Sequence, residues 1–398
     1  MTLFKDQYEA LRQVNNLKYI EASTVQNILE LVTKIDQAKL YRGKGGEVMR
    51  NGVCRLIECI SVAQLPIPQE LIKVYMTTLD ESIQKPLEEL QESAECALRV
   101  FSKTYQSENI AEFEKFVENF LNKGATDPNV VIRRGYTRAL SCLSLAIVRG
   151  NLEKICKVLE ENCTIKGKEQ DDADARKFAI KSYQEILSGL LEEEDKVVDS
   201  AIVERFFRVA FSLMADYTTD KRGDIGSMVR EASMYSMVNI LKVLAKKYRA
   251  NKDFGVKISG DTVFRCVALM LQQLVEKIDR TRLIAGSLLQ DLVDHHLKDL
   301  PSFKGVERIQ ALFNKEYIQQ KLQAEQERLD TEFSLTEEMK GKAFDTISTQ
   351  QMNFGDVNLS NTEGFIYYWN LPHCVYPLVT PLLEVPEFSY FIVKILRL

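Results

Sequence analysis

Glycine and proline are scarce in this chain. Of 398 residues, 18 are Gly and 9 are Pro, about 7% together against a usual share of about 12%. So few turn formers exclude an all-β sandwich and leave room for long helices joined by short turns. Long apolar runs are missing as well. The most apolar stretch, near Cys266 to Leu274, is broken by Gln272 and Gln273, far short of the roughly 18 residues of a membrane span. The opening Met1-Thr-Leu-Phe-Lys-Asp has no hydrophobic signal core, so a cytoplasmic location is expected. A strong excess of one charge is also lacking. The net charge is −5 and the pI near 5.6, so no global basic field exists to hold a phosphate backbone, and nucleic acid is not an expected partner. What is present is ordinary: 45% hydrophobic and 27% charged residues, enough apolar material to exclude wholesale disorder.

Signatures of chemistry are thin. Cys54, Cys59, Cys96, Cys142, Cys156, Cys163, Cys266 and Cys374 include no C-x-x-C pair, and most lie in apolar helical stretches. They read as small buried hydrophobes of a reducing compartment. His295, His296 and His373 have no ligand spacing with any cysteine, which argues against zinc. Gly43-Lys-Gly-Gly46 is glycine-rich, but it lacks the spacing and the Ser or Thr of a nucleotide-binding loop, so it reads as a tight turn between helices. G-x-S-x-G and H-E-x-x-H do not occur. No catalytic, metal or cofactor-binding residue is expected, and the chain is read as non-enzymatic.

An internal repeat is present. In Asp127-Pro-Asn-Val-Val-Ile-Arg133, an acid is followed five residues later by an aliphatic residue and then by Arg. After Arg133, small residues fall at +2 and +6 (Gly135, Ala139) and aliphatics at +7 and +10 (Leu140, Leu143). The frame recurs with Asp224 and Arg230, with Glu276 and Arg282, and with Arg50. Weaker copies start from Gln91 and Arg176, and the anchor spacings are 41, 42, 43, 54 and 52. That period belongs to two-helix HEAT and armadillo repeats. Positions +6, +7 and +10 share one helical stripe. The acid would cap its helix and meet an Arg of a neighbouring repeat. Asp127, Arg133, Asp224, Arg230, Glu276 and Arg282 are therefore expected to form a structural acid–arginine ladder. Ala111–Leu121 and Val203–Phe211 carry apolar residues at helical spacing and read as the preceding helices of their units.

The expected fold is an all-α α-solenoid of HEAT/armadillo-like helical repeats over 1–315. Residues 316–365 read as a polar helix and a loop-rich insertion, and 366–398 as the start of a further, truncated repeat, as though the chain were part of a longer array. One join between repeat helices is far more polar than a bare turn. Asp216, Tyr217, Thr218, Thr219, Asp220, Arg222 and Gly223 form a candidate partner-binding loop, joined by Tyr41, Arg42 and Lys44 of the glycine-rich turn.

The same segments carry a family resemblance. Asp-Tyr-Thr-Thr-Asp-x-Arg-Gly-Asp-x-Gly-x-x-Val-Arg at Asp216–Arg230 resembles a stretch of the tubulin-folding cofactor D family. Leu40-Tyr-Arg-Gly-Lys-Gly-Gly46 with Met49-Arg50 resembles an upstream stretch, and Glu276-Lys-Ile-Asp-Arg280 with Arg282 a downstream one. Pro377, Leu382, Pro386 and Tyr390 match the next more loosely. Order and spacing agree from about Ile35 onward, with Gln319 to Gly364 as a departure, and only the family's C-terminal region is represented. The resemblance implies a chaperone that binds β-tubulin and works with cofactors C and E and an Arf-like small GTPase. It implies support for αβ-tubulin assembly and tubulin GTPase activation at the microtubule cytoskeleton. It transfers no residue-level site. A HEAT-repeat scaffold unrelated to tubulin is the alternative.

Overall fold

The computed structural model describes residues 21–165, 172–194, 196–314, 316–321, 323–324, 327–328, 369, 372–386 and 388–389. The chain divides into two compact units, Met1–Val197 and Val198–Leu398.

In the first unit the helices are α1 (Ala22–Gln37), α2 (Gly46–Val62), α3 (Gln69–Ile83), α4 (Glu88–Tyr105), α5 (Ile110–Thr126), α6 (Val130–Leu140), α7 (Leu145–Cys163) and α8 (Ala173–Glu192). Helices α3 and α4, α5 and α6, and α7 and α8 pack as hairpins. Each layer then continues to the next repeat: α1 meets α3 and α5 meets α7, while α2 meets α4 and α6 meets α8. Two layers of helices stacked in this way are the HEAT arrangement expected from the repeat.

The register is also as expected. Arg50, Gln91, Arg133 and Arg176 fall at the fourth or fifth residue of α2, α4, α6 and α8. All +7 and +10 positions, such as Ile57 and Ile60, Leu98 and Phe101, or Tyr183 and Ile186, are buried. Aromatic stripes fill the space between layers. Phe113, Phe116 and Phe120 of α5 are buried. Phe113 lies 5.8 Å from Phe101 and Phe120 lies edge-on 5.1 Å from Tyr136. Each such ring contributes about 1.5–3 kcal/mol by leaving water. The small +2 residue has a visible purpose at Gly135, where a Cβ would lie 2.2 Å from the Ile83 carbonyl oxygen. Asn129 starts α6 by accepting from Val131 N (2.9 Å), and Asp172 starts α8 by accepting from Asp174 N (3.0 Å).

The second unit repeats the plan with α9 (Ser200–Leu213), α10 (Gly226–Ala250), α11 (Gly260–Leu274) and α12 (Asp279–His295). Helix α9 meets α10 and α11, and α12 meets α10 and α11. A short antiparallel pair, β1 (Thr219–Asp220) and β2 (Gly223–Asp224), stands between α9 and α10. Asp199 and Ser259 cap α9 and α11 by accepting from Ile202 N and Thr262 N. Helix α13 (Val306–Leu312) follows, and residues 316–321 are helical. The loop expected over Phe344–Gly364 lies outside the described residues. Helix α14 (Pro372–Val379) includes Val375, where a further helix was expected, and a 3-10 turn, Thr380–Glu384, succeeds it. Trp369 is buried and stacked on Phe313 with centroids 5.6 Å apart. Phe388 reaches Phe264 at 5.2 Å. No helix of the described residues is long and apolar enough to cross a membrane.

The expectation for the thiols needs one correction. Cys54, Cys142, Cys156, Cys163 and Cys266 are buried and Cys59 is half-buried, but Cys96 is exposed. It lies on the solvent side of α4, where the helical period turns it away from Ala94 and Ala97. Cys374 is outside the described side chains. Burial pushes the Cys54 thiol up from 9.0 to about 11 and the Cys142 thiol to about 12. Burial likewise raises the Tyr41 hydroxyl from 10.0 to about 12. Because these folded-state values are raised, the neutral groups favour the folded state fully below the unfolded values, and that contribution is lost as pH climbs through 11 to 12. Melting followed by circular dichroism is expected to show a midpoint falling steadily above about pH 9. A midpoint unchanged up to pH 11.5 would contradict the burial of these groups.

Candidate functional site

The Asp216–Gly226 loop has a knitted base and an open tip. At the base, Asp216 is buried, and its Oδ1 accepts from Thr218 N (3.1 Å) and Thr218 Oγ1 (2.7 Å). Gly226 N donates to the Thr218 carbonyl at 2.9 Å. A Cβ on Gly226 would lie 2.3 Å from the Asp216 carbonyl oxygen, so only glycine fits where the loop re-enters α10. The Tyr217 ring lies under the Arg230 guanidinium at 4.0 Å, and burial raises its hydroxyl. At the tip, the strands pair Thr219 with Asp224 and Asp220 with Gly223. Gly223 takes φ +106 as the chain turns back through Lys221 and Arg222. Asp220 accepts Arg222 N at 2.7 Å and its guanidinium at 2.9 and 2.7 Å. The hydrogen bond from Arg222 holds the Asp220 carboxyl below its ordinary value. Asp216, Tyr217 and Thr218 thus shape the loop, while Thr219, Asp220, Arg222 and Gly223 are the exposed part that a partner could touch.

The α1–α2 turn is built on the same plan. Gly46 opens α2, and a Cβ there would lie 2.2 Å from the Tyr41 carbonyl oxygen. Arg50, four residues further, lies 4.3 Å over the Tyr41 ring, just as Arg230 follows Gly226 and covers Tyr217. Gly43 and Gly45 take φ +77 and +87, which L side chains rarely adopt. Both segments stand out in the sequence, but their equivalence does not. Its signal is Tyr, a variable loop, then Gly-x-x-x-Arg. The Tyr41 turn also borders an open cleft of about 790 Å³. Arg42 and Lys44 are exposed there.

The six ladder residues are arranged differently from the simple ladder. One rung joins neighbouring repeats: Arg230 Nη2 lies 3.0 Å from Asp224 Oδ2 and 3.0 Å from Glu276 Oε1. Asp224 also receives Ser227 N at 3.1 Å, so it does help start α10. Elsewhere the anchor cation seeks backbone. Arg133 Nη1 donates to the Asp127 carbonyl at 2.6 Å, and the Asp127 side chain accepts Asn129 N instead. Arg282 Nη1 donates to the Glu276 carbonyl at 2.6 Å, and Arg282 pairs with Asp279 of its own helix. Arg230 Nη1 does the same to the Asp216 carbonyl, also at 2.6 Å. The common rule is that the anchor Arg satisfies carbonyls orphaned just past the end of the preceding helix.

Among the described residues no group of three or more His, Cys, Asp or Glu could hold a metal ion. The molecule is thus an all-α helical-repeat protein whose distinctive polar features are two inter-helix loops. Residues 264–394 match the family model described as the tubulin folding cofactor D C-terminal region. Tubulin-folding cofactor D of Schizosaccharomyces pombe is 30% identical over 95 residues, covering 24% of this chain and 8% of the relative. Tubulin-specific chaperone D of Dictyostelium discoideum is 20% identical over 383 residues, covering 71% of this chain and 26% of the relative. The chain therefore resembles the C-terminal region of tubulin-folding cofactor D, as its ordered motifs indicated, and it spans about a quarter or less of the length of these relatives.

Proposed function

We propose that the chain acts in tubulin folding as a non-catalytic chaperone that binds β-tubulin. In this reading it works in the cytoplasm with cofactors C and E and an Arf-like small GTPase. It supports αβ-heterodimer assembly and tubulin GTPase activation, and so microtubule organisation. The observation that carries the reading is the family match over 264–394, which takes in most of α11 and all of α12, α13 and α14. The architecture suits it. Stacked helical hairpins offer broad surfaces, and a stable protein interface needs about 800 Å² from each partner rather than a deep pocket.

The test is a pull-down of purified β-tubulin and of an Arf-like GTPase on the immobilised chain. Retention of either is expected. If neither is retained, even with the relatives' upstream region fused to the chain, a helical-repeat scaffold unrelated to tubulin becomes the better reading. Hydrolysis of GTP by the chain alone would overturn the non-catalytic part.

A further inference from the structure

We propose that the cleft beside the Tyr41–Gly46 turn is a docking site for an acidic segment of a protein partner. Lys39, Arg42, Lys44 and Lys85 line it, and none of the four forms an ion pair among the described residues. Elsewhere in the same unit Arg99 is tied to Glu185, Arg134 to Asp172 and Arg138 to Glu95. Two acids, Asp36 and Glu47, also line the cleft, and Glu81 is already held by Arg50 at 2.9 Å. The uncompensated charge is therefore positive.

Two donors at the same place are unmatched. The Tyr41 hydroxyl and Arg50 Nη1 are buried atoms without a hydrogen-bond partner among the described residues. A buried donor left unmade costs about 1–3 kcal/mol, and both side chains line the cleft. The other turn of the same design lacks this character. There Arg222 is tied to Asp220 and Arg230 to Asp224 and Glu276.

The shape of the cleft favours a polypeptide over a small anion. It is wide, at about 790 Å³, and Val48 at its edge is 77% exposed while adjoining Leu40 is 47% exposed. A segment with carboxylates and an occasional aliphatic side chain complements both features. A Cβ at Gly43 or Gly45 would meet nothing within 4 Å, so the turn leaves room above it for a second chain. The site stands independently of which protein supplies the segment.

The experiment is fluorescence anisotropy of the full chain with a fluorescein-labelled Glu-rich peptide carrying one Leu. Saturable binding is expected that weakens as salt rises. Arg42→Glu with Lys44→Glu is expected to weaken it at least about tenfold, whereas Lys246→Glu, an exposed site on α10, leaves it unchanged. Both altered residues are exposed, and the milder Arg42→Gln with Lys44→Gln serves if circular dichroism shows any loss of helix. The proposal is overturned if the double variant binds as tightly as the parent, or if a peptide with Gln for every Glu binds equally. It is also overturned if millimolar inorganic phosphate displaces the peptide, which would make this a small-anion site. Tubulin retention is read in a different assay, so either result can fail without the other.

Discussion

Arg230→Ala is expected to lower the melting temperature of the Val198–Leu398 unit by roughly 6–20 °C. The side chain is fully buried and its guanidinium is used on every side. Nε donates to Gln273 Oε1 at 2.9 Å, Nη1 to the Asp216 carbonyl at 2.6 Å, and Nη2 to Asp224 and Glu276 at 3.0 Å each. The plane of the group lies on Tyr217. Truncation would leave two carboxylates facing a void and the end of α9 without its donor. Breaking a buried pair by removing one partner costs about 3–5 kcal/mol, because the remaining charge is uncompensated. Lysine is not expected to rescue, since one ammonium cannot reach four acceptors and stack on a ring. Arg222→Ala is the matched control. Its side chain is 68% exposed, and an exposed ion pair contributes about 0–1 kcal/mol. Equal melting of the Arg230 variant and the parent would remove Arg230 from its structural role.

That contrast also shows where the sequence is informative. The anchors at Arg50, Gln91, Arg133, Arg176, Arg230 and Arg282 mark alternate helices because their +7 and +10 partners must be buried together, and burial selects side chains. The acceptors that the anchor arginines have in common select nothing. Asp127, Glu276 and Asp216 offer their main-chain carbonyls, which every residue possesses, so a ladder of carboxylates was the natural but incomplete inference. The kinship of the two turns was hidden by length, because eight residues separate Tyr41 from Arg50 and twelve separate Tyr217 from Arg230. The hairpin inserted in the second turn supplies the difference. The division at Val197–Val198 falls between the anchors Arg176 and Arg230, whose spacing of 54 is the widest of the series. Cys96 was misread for a related reason: helical apolar neighbours do not say on which side of the helix a small thiol falls.

The second large effect is expected at Gly286, inside α12. Glycine in a helix interior costs about 1 kcal/mol relative to alanine, so its presence calls for a compensating approach, and the approach is Trp369. A Cβ at Gly286 would lie 2.2 Å from Trp369 Cδ2 and 2.4 Å from Cγ. The indole is rigid, fully buried and stacked on Phe313, so it cannot yield as a flexible chain end would. Losing a buried Trp costs about 3–5 kcal/mol, and the propensity gained by Ala returns about 1. Gly286→Ala should therefore destabilise the unit by about 2–4 kcal/mol, or roughly 4–16 °C. The chain contains one Trp, so its emission reports the surroundings of Trp369 alone. A shift to longer wavelength and access to iodide quenching are expected in Gly286→Ala. Trp369→Ala should lower the melting temperature similarly. Combining the two changes should cost less than their sum, because both remove one shared contact. Unchanged emission in Gly286→Ala, or strict additivity in the double variant, would mean that Trp369 does not rest on Gly286. Gly286 and Trp369 both lie within the 264–394 segment that matches the family model. The contact therefore sits in the part of the chain on which the functional reading rests, and its loss should weaken any partner binding that depends on α12, α13 and α14 being held together.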